Sequence, residues 1–192
     1  MDIDKLKEDI VFKDNIRGFD FIFHSTWGLF SPKEVDAGSR LLIDFIEVNE
    51  SDVCLDMGCG YGVIGLSMAK MSPHGKNYMI DKDFVAVEYA KKNAMINQLT
   101  NCEVFLSNAF SNIPDDIRFD VIASNLPANV GKEMLYIILS DAKRYLKDGG
   151  KLYVVTIAGL REFIKRNFKD IFGNYEKVKQ GREHAVHRGI KD

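Results

Sequence analysis

A run of glycines at the end of an apolar segment is the first feature of this sequence that suggests chemistry. The stretch VCLDMGCGYGVIG, residues 53–65, contains Gly58, Gly60 and Gly62 where a strand must turn sharply into a helix. Glycine has no Cβ, so the backbone can approach a ligand closely at such a junction. Residues 60–65 also fit GxGxxG, the pattern of dinucleotide-binding loops, which is weak support on its own.

Asp56, two residues before the first glycine, favours a ligand without phosphate. A pyrophosphate would lie over the loop amides, where a nearby carboxylate would repel it. A cofactor that carries an ammonium or a sulfonium group suits Asp56 better, and S-adenosylmethionine is such a cofactor. Asp81, 21 residues after Gly60, can accept both ribose hydroxyls of either NAD or S-adenosylmethionine. An aspartate that caps the loop amides without any ligand is the alternative.

A second stretch, SNLPANVGK from Ser124 to Lys132, follows another apolar segment. It contains no thiol, carboxylate or histidine, so it offers no obvious nucleophile or acid–base group. What Asn125 and its neighbours offer is hydrogen bonding from a fixed backbone.

The elements that must position these residues alternate between strands and helices. Short runs rich in Val, Ile, Phe or Tyr predict strands at 53–57, 77–81, 102–106, 119–124 and 151–157. Helical spacing of apolar residues predicts helices at 35–48, 63–70, 84–99, 131–146 and about 160–171. The sequence DGG at 148–150 is expected to end the fourth helix as a glycine cap. Runs at 175–179 and 184–188 could form a terminal antiparallel pair.

This alternation predicts an α/β fold. Strands that are apolar throughout indicate a doubly wound, mostly parallel sheet covered on both faces, with an antiparallel C-terminal strand pair. GFDFIFHSTWGLF, Gly18–Phe30, suggests a strand or hairpin that packs on the main domain. The length of 192 residues predicts a single domain, with residues 1–34 as a short N-terminal extension.

Composition argues against several classes of protein. The start MDIDKLKEDI has acidic residues where a signal peptide needs a basic and then an apolar region. No apolar run approaches the roughly 18 residues of a membrane span, so we expect a cytoplasmic protein.

The cysteines, Cys54, Cys59 and Cys102, cannot all pair and lack metal-site spacing. His184 and His187 would face opposite sides of a strand, so no metal site is expected there.

The charge is unevenly distributed along the chain, although the net charge is only −2. Residues 161–192 carry nine Lys or Arg against five Asp or Glu, whereas residues 1–160 carry 17 against 23. A basic segment on an acidic body is typical of a nucleic-acid interface. A solvated helix face explains the charge equally well.

Four blocks in order resemble the small-domain group of class I S-adenosylmethionine-dependent methyltransferases. The blocks are LFSPKEVDAGSRLL (29–42), LDMGCGYGVIGLSMAK (55–70), AKKNAMIN (90–97) and FDVIASNLP (119–127). That group includes bacterial ribosomal RNA guanine-N2 enzymes and archaeal stand-alone domains, and the likeness covers about residues 19–157. It implies a seven-stranded Rossmann-like sheet, S-adenosylmethionine as cofactor, no metal, and an RNA substrate, with ribosomal RNA as the leading candidate.

The resemblance also implies which residues surround the cofactor. Asp56, Gly58 and Gly60 would lie around its methionine part. Asp81 would bind the ribose, with Lys82 beside it.

Two further parts of the chain match cofactor positions of the family. Asn108 and Ala109 would flank the adenine, at a site where the family commonly has Asp instead of Asn. Asp36, Gly38 and Ser39 match the block that closes over the cofactor. A capped helix N-terminus explains this block equally well.

Asn125 corresponds to the first residue of the family's NPP-aromatic motif. The nitrogen of an exocyclic amine shares its lone pair with a π system and is a poor nucleophile. The Asn125 oxygen and the carbonyl of Leu126 could accept both N–H bonds and turn the lone pair toward the methyl group. Catalysis would then consist of positioning and electrostatic alignment by Asn125, Leu126 and Pro127. Leu126 replaces the first proline of the motif, so the ring that fixes φ is lost.

The residues expected to contact the substrate depart from the family pattern. Ala128 stands where an aromatic ring usually stacks on the target base. Trp27, Phe23 and Phe30 could supply such a contact instead, although any single one of them is more readily explained as a packing residue. Lys132 could contact a phosphate or simply begin an exposed helix.

The leading hypothesis is methylation of an exocyclic amino nitrogen of a base in RNA, without a choice between guanine N2 and cytosine N4. A protein glutamine amide is the nearest rival substrate, because the same asparagine geometry suits it. An NAD-dependent oxidoreductase is the alternative offered by residues 60–65 and is opposed by Asp56. An inactive, cofactor-binding partner subunit is the alternative offered by Leu126 and Ala128.

Overall fold

The fold is described from a computed structural model at residues 8–127 and 130–192. The strands in these residues are β1 Ile10–Ile16, β2 Phe19–Ser25, β3 Cys54–Met57, β4 Asn77–Asp81, β5 Cys102–Leu106, β6 Phe119–Asn125, β7 Leu146–Ile157, β8 Glu176–Gln180 and β9 His184–Ile190. The α-helices are α1 Ala37–Phe45, α2 Val63–Met71, α3 Phe84–Ile96, α4 Lys132–Tyr145 and α5 Arg161–Phe172. The predicted contact of Ala128 with the target base falls outside the described residues.

Seven strands form one sheet in the order β5-β4-β3-β6-β7-β9-β8. Pairing is parallel from β5 to β7 and antiparallel for β9 with both β7 and β8. Helices α1, α2 and α3 cover one face, and α4 and α5 cover the other. The predicted doubly wound, mostly parallel sheet with an antiparallel C-terminal pair is confirmed. The chain moves from β3 outward on one side to β4 and on the other to β6, and ligands bind at the carboxyl ends of strands at such a switch point.

Strands β1 and β2 form a separate antiparallel hairpin. Ile16 pairs with Phe19, so only Arg17 and Gly18 make the turn, with φ of 52° and 85°. Two positive φ values in a two-residue turn give the type I′ geometry that matches the twist of the strands. The second strand of this hairpin was predicted from the pattern of residues 18–30, whereas β1 was not predicted.

Two asparagines on α3 hold the hairpin. Asn93 accepts a hydrogen bond from His24 N–H (2.7 Å) and donates one to the carbonyl of the same residue (2.9 Å). Asn97 makes the same pair of bonds with Ile22, at 3.0 and 2.8 Å. Four helical residues rise about 6 Å and two strand residues about 6.6 Å. Side chains one helical turn apart, at 93 and 97, therefore match backbone groups two residues apart on the strand.

The sequence DGG at 148–150 does not cap α4, and that interpretation was wrong. The helix ends at Tyr145, and extended Leu146 is its C-terminal cap. Leu146 already pairs with Phe119, and the β6–β7 register shifts immediately afterwards. Gly149, with φ of 77°, lies in this irregular part of β7 and donates to the carbonyl of Lys191 at 2.7 Å.

Candidate active site and cofactor site

The glycine loop joins β3 to α2 with its glycines in the left-handed region. Gly58, Gly60 and Gly62 have φ of 73°, 55° and 101°. A Cβ at Gly58 or Gly60 would meet no atom within 4 Å, so the loop faces open space there. Gly65 serves packing instead, because a Cβ would lie 2.3 Å from the Met79 side chain. The loop is therefore open on one side, where a ligand can approach the backbone.

Asp56 is fully buried at the end of β3. Its Oδ2 accepts a bond from Gly65 N–H at 2.7 Å, and Oδ1 has no hydrogen-bond partner among the residues that the structure describes. Burial raises the pKa of Asp56 to about 7, the Gly65 bond opposes this rise, and the charge of Asp81 adds to it. A buried carboxylate oxygen without a partner is costly, and a cationic donor would remove that cost.

Asp81 ends β4 on the other side of the loop. Its Oδ2 accepts a bond from Gly60 N–H at 2.9 Å, and its Oδ1 accepts one from Asp83 N–H at 2.9 Å. The loop amide that a pyrophosphate would use is thus already bonded to a carboxylate. The ligand-free alternative, in which the aspartates cap loop amides, describes these bonds but leaves Oδ1 of Asp56 unexplained.

The group implied by the sequence, S-adenosylmethionine, fits these residues. It carries an ammonium and a sulfonium and no phosphate, which suits two carboxylates beside an open glycine loop. Lys82 follows Asp81 and is exposed. Asn108 and Ala109 follow β5 at the same edge of the sheet and line a cleft of about 400 Å³ against α4. The structure brings all of these predicted residues to the carboxyl ends of neighbouring strands.

Asn125, the last residue of β6, is held by the start of α1. Its side-chain nitrogen donates to Asp36 Oδ1 at 3.2 Å and to Ser39 Oγ at 3.1 Å. A carboxylate only accepts, so the nitrogen must face Asp36 and the Asn125 oxygen must point away from it. Asp36 Oδ1 also accepts from the N–H groups of Gly38 (2.9 Å) and Ser39 (3.1 Å). Asp36 is therefore both the cap of α1 and the residue that orients the Asn125 amide.

Leu126 keeps the backbone after Asn125 fixed without the proline of the family motif. Its N–H donates to the carbonyl of Val155 at 3.0 Å, and its side chain is buried. Proline has no N–H and could not make this bond. Two residues before Leu126, Ser124 Oγ donates to the carbonyl of Met57 at 2.8 Å and connects β6 to β3. Pro127 follows and is exposed.

The aromatic candidates for substrate contact lie in different environments. Phe23 is fully buried, with its ring centroid 5.4 Å from that of Phe12 and 5.8 Å from that of Tyr61. It is a packing residue, so its proposed role against a base was wrong. Phe30 and Trp27 are 71% and 50% exposed.

Tyr61, inside the glycine loop, is a site residue that sequence analysis missed. Its hydroxyl lies 3.0 Å from the carbonyl of Ser31 and 3.1 Å from that of Glu34. These bonds hold the segment before α1 against the glycine loop. An aromatic residue between two loop glycines was the available signal, but its partners lie about 30 residues away in the chain.

Lys132 is exposed at the first turn of α4, and its Nζ lies 5.9 Å from the centre of the Phe163 ring. His184 and His187 lie in different environments, as expected for residues on opposite sides of a strand. His187 is buried and lies 3.2 Å from Thr156 Oγ1 and 3.1 Å from the Tyr175 hydroxyl, whereas His184 packs against Gly38. In residues 8–127 and 130–192 no three His, Cys, Asp or Glu side chains come together as metal ligands. No helix within these residues has the length and apolar character to span a membrane.

Comparison with known proteins agrees with this geometry. The chain is 43% identical over 141 residues to the uncharacterized protein YbxB of Bacillus subtilis, covering 73% of this chain and 70% of that protein. It is 37% identical over 153 residues to ribosomal RNA small subunit methyltransferase C of Haemophilus influenzae, covering 77% of this chain and 46% of that protein. The chain thus spans about half the length of that curated methyltransferase.

The same architecture occurs in a solved enzyme. The Thermus thermophilus 16S rRNA N2 G1207 methyltransferase (RsmC), in complex with AdoMet and guanosine, superposes with a TM-score of 0.86 at 25% identity, covering 95% of this chain and 50% of that one. A model of the family described as methyltransferase small domain matches residues 20–188. The predicted family, its methyltransferase class and its cofactor, S-adenosylmethionine, are confirmed. This chain belongs to the methyltransferase small-domain family.

Proposed function

We propose that this protein methylates an exocyclic amino nitrogen of a base in RNA, in the cytoplasm. Ribosomal RNA is the first candidate substrate, and guanine N2 is the first candidate atom. The similarity to a 16S rRNA N2 methyltransferase solved with guanosine supports both choices. The excess of basic residues in 161–192 supports an RNA partner.

The orientation of Asn125 carries the proposal. Because Asp36 and Ser39 hold the amide nitrogen, the oxygen is an acceptor in a fixed position at the carboxyl edge of the sheet. An amino group has two N–H bonds, and the Asn125 oxygen would accept one while the Leu126 carbonyl accepts the other. The nitrogen lone pair would then point out of the plane of the base. This arrangement suits an amine and offers nothing to a hydride transfer.

The chemistry needs no strong base before transfer. S-adenosylmethionine, when bound, supplies a methyl group on a positively charged sulfur. A nitrogen–carbon bond forms as the sulfur–carbon bond breaks, and the nitrogen, now positively charged, loses one proton to water. Asn125, Leu126 and Pro127 act by position: they hold the amine near the methyl carbon, with reacting atoms about 3–3.5 Å apart.

The residues proposed for the cofactor divide by its parts. Asp56 Oδ1, without a partner among the described residues, would accept from the ammonium group, with Gly58 and Gly60 giving access. Asp81 would bind the ribose hydroxyls, and Lys82 would cover the edge beside it.

Three more residues complete the proposed cofactor site. Asn108 and Ala109, at the cleft after β5, would flank the adenine. Ser39 would close the site from α1 while it holds Asn125.

The substrate side of the site is proposed from the exposed residues around it. Phe30 has the most exposed large apolar side chain in residues 8–34, the described part of the N-terminal extension, and could lie against a base. Lys132 at the start of α4 would contact a phosphate. Ala128 would lie next to the base, and this role stays a prediction. The single-domain organisation of residues 1–192 also stays a prediction.

Methyl transfer to ribosomal RNA tests the proposal. Ribosomes from a strain that lacks the gene are incubated with the protein and methyl-labelled S-adenosylmethionine, the RNA and protein fractions are separated, and labelled nucleosides and amino acids are identified by mass spectrometry. We expect label in N2-methylguanosine from the wild type and labelling about 10²–10³-fold slower with Asn125→Ala. Label in a glutamine of a ribosomal protein would show that the rival substrate, a protein glutamine amide, is methylated instead of RNA. Cofactor binding without transfer to any fraction would favour an inactive partner subunit.

A further inference from the structure

A second cleft lies beside the Asn125 site, between the start of α1 and the turn that joins β8 to β9. Its volume is about 260 Å³, and it is lined by Ala37, Leu41, Gly181, Arg182, Glu183 and His184. The cofactor and catalytic residues described above do not use it. Its wall combines apolar side chains, one imidazole ring, one guanidinium and one carboxylate.

Strand register places this cleft on the same side of the sheet as Asn125. Asn125 pairs with Val155, and Val155 pairs with Val186. His184 is two residues from Val186 and therefore faces the same side, toward α1. Two strand spacings, roughly 10 Å, separate the strands that carry Asn125 and His184.

The first turn of α1 contacts both residues. Asp36 and Ser39 bond the Asn125 side chain, and Gly38 faces the His184 ring. A Cβ at Gly38 would lie 3.0 Å from Cδ2 and 3.3 Å from Nε2 of His184, so glycine permits the close approach of this ring. The cleft and the proposed catalytic site are therefore joined by one rigid turn.

The β8–β9 turn is held in place by backbone bonds. Gly181 N–H donates to the His184 carbonyl at 2.8 Å, and Ala158 N–H donates to the Glu183 carbonyl at 2.9 Å. The His184 ring and the Arg182 guanidinium make no side-chain hydrogen bond or ion pair with any residue that the structure describes. Both groups are available to a ligand, and backbone bonds hold the turn that carries them.

We infer that this cleft binds the nucleotide next to the target nucleotide in the RNA strand. The inference rests on the proposed function. His184 offers a ring on which a base can stack, Ala37 and Leu41 offer an apolar wall, and Arg182 offers a charge for the phosphate. Neighbouring nucleotides of an unpaired strand can bridge the separation from Asn125. Glu183 also lines the cleft, and its carboxylate would weaken phosphate binding by repulsion.

The test uses a single-stranded RNA substrate and a matched RNA in which the nucleotide flanking the target lacks its base. For the wild type we expect the KM to rise about 5- to 100-fold when that base is removed. His184→Ala should raise the KM of the complete RNA by a similar factor and be insensitive to the missing base. Arg182→Ala should reduce the slope of log affinity against log salt by about 1, and Glu183→Gln should lower the KM.

Lys76→Ala is the matched control, because it removes an exposed charge just before the start of β4, outside the basic segment 161–192 and at the amino ends of the parallel strands. Its KM should equal that of the wild type, and all variants should keep the wild-type cofactor affinity and melting temperature. If the wild type methylates RNA but His184→Ala and Arg182→Ala leave the KM unchanged, the cleft is not a nucleotide site. If the wild type methylates no RNA, the proposed function fails and this inference fails with it.

Discussion

The side-chain nitrogen of Asn125 lies 3.2 Å from Oδ1 of Asp36, a residue 89 positions earlier in the chain. This contact gives the amide one orientation, because only the nitrogen can donate to a carboxylate. The oxygen is thereby left to accept from a substrate amine. An otherwise unremarkable helix cap thus determines what Asn125 can do chemically.

Loss of the Asn125 oxygen should lower the turnover rate far more than the affinity for the cofactor. We expect Asn125→Ala to lower kcat by about 10²–10³-fold, with cofactor affinity within about twofold of the wild type. Single-turnover methyl transfer together with calorimetric titration of the cofactor measures both. Full activity in this variant would show that the amine is held by other groups.

Replacement of Asp36 by asparagine tests the orienting contact itself. Asparagine caps helices as well as aspartate does, so α1 should stay folded. Its amide no longer requires the Asn125 nitrogen to face it, and we expect kcat to fall roughly 10- to 100-fold with little change in KM. Unchanged kcat in Asp36→Asn, at an unchanged melting temperature, would mean that Asp36 acts only as a cap.

Asp56→Asn should weaken cofactor binding and stabilise the protein in the absence of cofactor. The folded pKa of Asp56 is about 7, above the ordinary value of 3.8, so its carboxylate lowers the stability of the fold progressively as pH rises from 3.8 to 7. The variant should unfold at higher urea concentration than the wild type at pH 8 and bind S-adenosylmethionine at least about 10²-fold more weakly. Equal cofactor affinity would exclude Asp56 as the ammonium site.

Cofactor affinity should depend on pH through the same residue. A cationic ligand prefers the ionised carboxylate, so below pH 7 binding must release a proton from Asp56, and affinity should fall by up to about tenfold per pH unit. Above pH 7 it should be flat until the ammonium group itself titrates. Titration calorimetry at pH 6 in two buffers with different ionisation enthalpies counts the protons. A count of zero at pH 6 would contradict the assignment.

Asn93→Ala should detach the N-terminal hairpin from α3. The change leaves two backbone groups of His24 and the carbonyl of Tyr61 without their partner, and we expect a loss of about 2–4 kcal/mol in the free energy of unfolding. Asn97→Ala, at a half-buried position, should cost less. Met95→Ala, 75% exposed on the same helix, should change stability by less than about 0.5 kcal/mol. Hydrogen exchange in β2 should become faster for the Asn93 variant and stay unchanged for Met95→Ala.

His187 should destabilise the protein in acid. Burial lowers its pKa from 6.5 to about 4, with a contribution from Arg161 and Lys177. The unfolded chain then binds a proton that the folded one rejects, so stability is fully present above pH 6.5 and falls as pH drops toward 4, by roughly 3 kcal/mol. His187→Gln cannot titrate, and its urea midpoints relative to the wild type should improve steadily from pH 6.5 to pH 4. A constant difference would assign the acid sensitivity to other groups.

The sequence by itself determined the sheet and the glycine loop. Strands β4 and β5 were predicted to the residue, at 77–81 and 102–106, because short runs rich in Val, Ile, Phe or Tyr favour strands. Asp56 and the loop glycines were also found from local pattern, since close backbone approach requires glycine wherever the fold places it. The family followed from four such blocks in order.

Tertiary structure alone decided which way the site residues point. The Asn125 amide is oriented by Asp36 and Ser39, more than 80 residues away, and Leu126 replaces the proline ring with a bond to Val155 that depends on the β6–β7 register. That register also turned DGG from a helix cap into part of a strand. These contacts join segments that are distant in the chain, and local propensity carries no information about which partners the fold will bring together.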